Sequence, residues 1–181
     1  RKGLILIGEI AGTPLIKLGL NQGVDAIEKL HKSLPEPDAD VDLLDVVIVG
    51  AGASGLGAAM RAHELGMRYQ VIEANRIANT VELMYKGKPL FAEPEEVSNR
   101  SAFWFEECTR EELLAKWHEQ ISETGLAINQ FEKVEDLKKS GDEWRVMTHR
   151  GEYRCKRVLL AMGKAGNPRK ANVPGEEEFP E

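Results

Sequence analysis

Residues 45–73, DVVIVGAGASGLGAAMRAHELGMRYQVIE, constrain the fold more than any other stretch of the chain. Val46, Val47, Ile48 and Val49 form a short β-branched run, the composition of a strand buried on both faces. Gly50-Ala51-Gly52-Ala53-Ser54-Gly55 follows and matches G-x-G-x-x-G, ahead of a small-residue helix over residues 53–65 that Gly66 ends. A second short strand, residues 69–72, runs into the acid Glu73. Each glycine has a physical reason: Gly50 for the tight turn, Gly52 for close approach of the backbone to a pyrophosphate, Gly55 for close helix–strand packing. The free N–H groups and positive dipole end of the helix face the same point. Glu73 is placed to accept hydrogen bonds from a ribose hydroxyl. Strand, glycines, helix, strand and acid in this order are specific for a dinucleotide site, where the glycines alone would not be. The bland alternative is a tight strand–helix turn with no ligand.

At 181 residues the chain is about one domain, with 30% charged residues and a content typical of folded proteins. A formal charge of −6 leaves no basic surplus for nucleic acid. No apolar run reaches the length of a membrane span. Cys108 and Cys155 lie far apart and outside any C-x-x-C, which fits a reducing, cytoplasmic compartment. Both are read as structural thiols, because a redox role needs a partner or an activated thiolate, and alternation puts Arg154 and Lys156 on the strand face opposite Cys155. Residue 1 is Arg, and residues 175–181 read as a connector, so the chain is expected to be a piece of a longer polypeptide.

Residues 3–8 read as a buried strand, and residues 13–31 as a helix with Thr13 as N-cap and Pro14 at its first position. Ile16, Leu20, Val24, Ile27 and Leu30 form its apolar stripe, and Gly19 and Gly23 weaken it unless something packs close. Residues 33–42, with two prolines and four acids, read as a linker. Residues 74–108 read as irregular, with an extended piece within 91–97. Phe103, Trp104 and Phe105 there are expected to anchor the loop to the core. Thr109 and Glu112 form a capping box for a helix that buries Leu113, Leu114, Trp117 and Ile121 and ends at Gly125. Strands are expected at 127–131, 133–138, 144–148, 152–155 and 157–160, with Ser140-Gly141-Asp142 turning a hairpin. His31, His63, His118 and His149 share no metal-ligand spacing with one another or with a cysteine.

Three motifs carry a family resemblance: VIVGAGASG with Glu73 in IEAN, LLAMGKAGNPRKANVPGE near the end, and GLILIGEIAG near the start. With them the chain resembles the FAD-binding half of the two-dinucleotide-domain flavoproteins, the group of thioredoxin reductase and the flavin-containing monooxygenases. Within that group it most resembles the bacillithiol disulfide reductase branch. The resemblance implies that the backbone at Gly50, Gly52, Ala53, Ser54 and Gly55 holds the FAD diphosphate and that Glu73, beside Ala74, binds the adenosine ribose. It implies further that the strand of Val134 meets the adenine edge and that Ala161, Met162 and Gly163 pass close to the cofactor. Met162 stands where the family usually has Thr. The third motif is displaced. In the family it comes late and its acid meets the ribityl chain, whereas here Glu9 takes that place and precedes the first glycine motif. Residues 1–33 therefore close a preceding module or complete this same domain in permuted order, and the second is favoured.

The implied partners are FAD, a fused or associated NAD(P)H-binding domain and an electron-acceptor protein, with room for a homodimer. NAD(P)H is expected only through a domain outside this chain, since no second G-x-G-x-x-G occurs in it. Catalytic side chains are not assigned. The residues alone leave open a non-catalytic dinucleotide module, or a site for NAD in place of FAD; the hairpin inserted after the capped helix favours FAD. The expected organisation is a strand–helix unit at 1–33, a linker at 34–44, an FAD-binding domain at 45–175 and the start of a connector at 176–181. The expected fold is a three-layer α/β domain, with a central parallel sheet and an antiparallel β-meander on one face.

Overall fold

Every layer of the molecule meets at one strand, β9 (Gly151–Leu160). The structure, a computed structural model, describes residues 3–34 and 40–164. The C-terminal part of β9 pairs in parallel with β2 (Leu44–Val49), which pairs with β3 (Tyr69–Ile72), which pairs with β6 (Ile128–Asn129). On its other edge β9 meets two partners in succession. Residues 151–155 pair antiparallel with β8 (Glu143–Thr148), itself in a hairpin with β7 (Val134–Ser140). Beyond that point β1 (Leu4–Leu6) takes over, in parallel, opposite residues 158–160. One sheet thus holds the parallel strands and the meander.

Side-chain alternation along β2 builds the two interfaces. Val46 and Ile48 face the helices, where α1 (Ile16–Ser33), α2 (Ala53–Glu64) and α4 (Arg110–Thr124) contribute Leu20, Leu56 and Trp117 to the larger core. Val47 and Val49 face the meander and pack with Trp144, Val146 and Val158. Helices, parallel sheet and meander make the three layers expected.

The pairing of α1 with α2 rests on glycine. A Cβ on Gly23 would lie 2.3 Å from the Ser54 carbonyl oxygen and 2.5 Å from the Ala58 nitrogen. One on Gly57 would lie 2.3 Å from the Leu20 carbonyl oxygen. The helix backbones are in contact, which explains a glycine inside each helix, at a cost of about 1 kcal/mol apiece relative to Ala. Leu20, Val24, Ile27 and Leu30 are buried as the periodicity predicts, with Ile16 at the edge of the core.

Several boundaries differ from the sequence expectation. The helix α1 begins at Ile16 with Leu15 as N-cap, not at Thr13. The Thr13 N–H is already bonded to the Gly8 carbonyl (3.1 Å), closing the 3-10 turn Gly8–Ala11, so the chain has not yet entered the helix there. The expected strand at 127–131 shrinks to β6 because Phe131 takes a left-handed φ of 55°. The expected strands at 152–155 and 157–160 are one. The charges along it are paired: Arg154 with Asp40 and Glu143, and Lys156 with Asp45 at 3.0 Å. No strand lies in residues 91–97. Instead β4 (Pro89–Leu90) pairs with β5 (Cys108–Thr109), and a short helix α3 (Asn79–Glu82) precedes them. The capping box at Thr109 and Glu112 is present, and Gly125 ends α4 with φ 64°. Phe103 packs edge-on to Trp117, whose indole N–H donates to the Trp104 carbonyl, so the aromatic run anchors its loop. Residues 35–39 of the expected linker, and the second half of the return motif with the connector at 176–181, lie outside the described residues.

Gly23→Ala tests the helix contact. On a free helix the change would stabilise; here overpacking against backbone should outweigh that gain and cost about 1–3 kcal/mol. Chemical denaturation of both proteins measures the difference.

Candidate functional site

A cavity of about 230 Å³ opens at the carboxyl ends of β2, β3 and β9. Gly50, with φ 105°, turns the chain out of β2, and a Cβ there would sit 2.5 Å from the Ala161 carbonyl oxygen. Gly55 lies beneath that turn: its Cβ would fall 1.9 Å from the Gly50 carbonyl oxygen, so only glycine lets α2 seat on the strand end. Gly52 is the reverse case. A Cβ built on it meets nothing within 4 Å, because it faces the cavity. The three glycines of one motif therefore do three different things.

Two helices start at this cavity. The N-cap of α2 is Gly52 and that of α1 is Leu15, and neither makes a side-chain capping bond. Their first-turn N–H groups and dipole ends are free to meet an anion. Glu73 closes one side. Its Oε2 accepts from the Ala51 N–H at 2.7 Å and its Oε1 from the Asn75 N–H at 2.8 Å, which orients the carboxylate and leaves a lone pair on each oxygen. On the opposite side Glu9, in the 3-10 turn, brings Oε2 to 4.0 Å from the Cβ position of Gly163, itself at φ 65°.

Of the expected site residues, Glu9, Gly50, Gly52, Ala53, Ser54, Glu73, Ala161, Met162 and Gly163 line the cavity. Gly55 acts from beneath. Ala74 is exposed beside Glu73 and Val134 sits in the hairpin, so neither lies on the wall. Ser54 has a role the motif does not announce. Cβ atoms on Gly8 and Gly19 would fall 2.5 and 2.9 Å from its Oγ, so its hydroxyl is the seat on which the strand–helix unit of residues 3–34 packs. The Gly8 N–H donates to Gln22 Oε1 at 2.6 Å and locks the same turn. Missed from the sequence were Thr13–Leu15, Asn75, Ala78–Val81, Leu83 and Met84, which also line the cavity. No periodicity marks them; the one local sign is the run of small and polar residues after Glu73.

Behind Glu73 lies a buried carboxylate. Glu132, 1% exposed, donates its backbone N–H to the Glu73 carbonyl at 2.8 Å. Its side chain accepts from Thr148 (2.6 Å), Tyr153 (3.0 Å) and Asn129 (3.0 Å). Burial pushes the Glu132 pKa up, but these hydrogen bonds to the charged form outweigh it and the net shift is downward. Both thiols are held toward the protonated form. Burial pushes Cys155 up to about 12, and burial with Glu112 and Glu106 nearby raises Cys108.

The chain belongs to the pyridine nucleotide-disulphide oxidoreductase family, whose profile matches residues 47–181. A ferredoxin–NADP reductase of Ignicoccus hospitalis is 31% identical over 134 residues, 74% of this chain and 41% of that protein. A thioredoxin reductase of Peptoclostridium acidaminophilum is 29% identical over 138 residues, 76% of this chain and 39% of that one. Among solved structures, the bacillithiol disulfide reductase of Bacillus cereus superposes with a TM-score of 0.62 at 32% identity, covering 74% of this chain and 44% of that one. The chain thus spans about two fifths of the length of the curated relatives it matches. No helix among the described residues is long and apolar enough to cross a membrane.

Two measurements check the electrostatics. A folded-state pKa below the unfolded value of about 4.3 means that Glu132 stabilises above that pH, and that this contribution is lost as pH falls through the folded pKa. Glu132→Gln should therefore melt below the wild type at neutral pH, and the gap should narrow as both are acidified. At neutral pH a thiol reagent should leave Cys155 unmodified until denaturant is added.

Proposed function

We propose that this chain is the FAD-binding portion of an NAD(P)H-dependent flavoprotein oxidoreductase that passes electrons from NAD(P)H through the flavin to a disulfide or another acceptor. The observation that carries this is the open space over Gly52, faced by two uncapped helix N-termini and flanked by the oriented carboxylate of Glu73. A diphosphate satisfies the N–H groups there and a ribose satisfies the carboxylate. At about 230 Å³ the cavity suits this middle portion of a dinucleotide, and the two ends of FAD would extend along the neighbouring strand ends.

In this assignment Gly50, Gly52, Ala53 and Ser54 hold the diphosphate by backbone N–H groups, while Gly55 lets α2 come near enough to do so. Glu73 and the adjoining Ala74 take the adenosine ribose. Glu9 faces the ribityl chain, and Ala161, Met162 and Gly163 run along the flavin side. Val134, off the cavity wall, belongs to the adenine end. Bound FAD would supply hydride and electron acceptance, and the protein orientation and exclusion of water. Residues 1–33 would complete this one site in permuted order, with 34–44 as linker, 45–175 as the FAD-binding domain and 176–181 leading to the NAD(P)H domain. The parallel pairing of β1 on β9 and the seating of Gly8 and Gly19 on Ser54 support that order. The two unpaired thiols support a cytoplasmic setting.

The test is the visible absorbance of the purified chain after incubation with FAD and desalting. Wild type should retain a flavin band. Gly52→Val should lose it with its melting temperature nearly unchanged, because the added side chain fills only the cavity. A colourless wild type that binds ADP-ribose would reduce the chain to a plain dinucleotide module, and one that binds neither would overturn the assignment.

A further inference from the structure

We propose that Phe131 is the stacking platform for the adenine base of the dinucleotide, at the end of β6 outside the cavity. This rests on the FAD-site assignment above and adds to it the contact that holds the base.

Phe131 breaks two rules at once. It is a large aromatic left 55% exposed, and it is one of only two non-glycine residues among those described with φ in the left-handed region. An aromatic side chain disfavours that backbone, which persists only where its surroundings impose it and is found most often at functional sites. Here the surroundings do impose it. The Phe131 N–H donates to the Asn75 carbonyl at 3.1 Å, and the Glu132 N–H donates to the Glu73 carbonyl at 2.8 Å. Gln130 Oε1 accepts from the Ile77 N–H at 3.0 Å, and the buried Glu132 carboxylate is fixed by its three donors. The Gln130–Glu132 corner is thus clamped to the segment that begins with Glu73, while the ring itself is left in solvent.

The sheet order says what such a ring meets. Ala161–Gly163, Gly50–Gly52, Glu73–Asn75 and Phe131 follow the ends of β9, β2, β3 and β6, which are neighbours in that order and parallel. Ligands of open α/β sheets lie across these carboxyl ends. With the diphosphate over β2 and the ribose on Glu73 at β3, the next group outward reaches the end of β6. It lies about 10 Å from β2 by two strand spacings, the reach of a nucleoside. An exposed aromatic ring at that place offers a π face to a purine. Val134 lies three residues further on, at the start of the hairpin.

The experiment measures FAD, ADP and FMN binding to wild type, Phe131→Ala and Phe131→Trp, with circular dichroism and melting curves on each. Phe131 is exposed, so all three proteins should fold alike. The expected result is a loss of about tenfold in affinity for FAD and ADP in Phe131→Ala, recovery in Phe131→Trp, and FMN binding, which involves no adenine, unchanged. Wild-type affinity of Phe131→Ala for FAD and ADP would overturn the assignment, as would an equal loss of FMN, which would mean a collapsed pocket. If wild type itself bound neither FAD nor ADP, the FAD site would fail first and the platform with it.

Discussion

The seating of α2 on the turn after β2 is the constraint from which the rest of the molecule follows. With Gly55 directly under the Gly50 carbonyl, no side chain separates helix from strand, and the helix N-terminus is held at the sheet's carboxyl edge. Because that contact is backbone on backbone it has no slack: the direction of α2, the exposure of Gly52 and the position of Glu73 beside Ala51 are all set together. The same economy recurs one layer out, where Gly23 and Gly57 bring α1 against α2, and where Gly8 and Gly19 rest on Ser54. The strand–helix unit at the start of the chain is therefore packed against the back of the same small-residue helix whose front faces the cavity. A side chain enlarged anywhere along α2's inner faces would disturb site and scaffold alike.

The sheet is organised about β9 in a comparable way. Its first half belongs to a twisted hairpin and its second half to a parallel sheet, and the change of partner falls where Cys155 sits, paired with both Trp144 and Leu44. Just beyond, Lys156 and Asp45 form an ion pair with side chains only 7% and 16% exposed. Such a pair contributes little net stability, but losing one member leaves an uncompensated charge, at a cost of about 3–5 kcal/mol. It marks the register of β2 on β9 more than it holds the strands together.

What could be read from the sequence was whatever is determined locally. The glycine motif, the helix after it, the acid at the end of β3, the capping box at Thr109 and the stripe on α1 each follow from neighbours within a few residues, and the family was visible through the first of these. The start of α1 was misread because Thr13 and Pro14 form a good helix signal that a hydrogen bond to Gly8 overrides. The unity of β9 rests on partners distant in sequence: Asp40 and Glu143 pair with Arg154, and Asp45 pairs with Lys156. The cavity wall between Asn75 and Met84 was not legible at all. Its four-residue helix and the two-residue ladder after it are held in place by tertiary contact, with no pattern of their own.

The place of β1 has a consequence for how this chain acquires its structure. Leu4 pairs with Val158 and Leu6 with Leu160, so the first described strand has no partner until nearly all of the described chain is available. Contacts this distant in sequence close late, since the loop entropy must be met before they form. Until then α1 rests on α2 and on the segment of Pro94, Ser98 and Arg100, and the edge of β9 that β1 will occupy stays open. An unpaired edge beside an apolar helix is the kind of surface through which two folding chains find each other. The pairing of β1 with β9 therefore ties the two ends of the described chain into one sheet, and it does so only after the strands between them are in place.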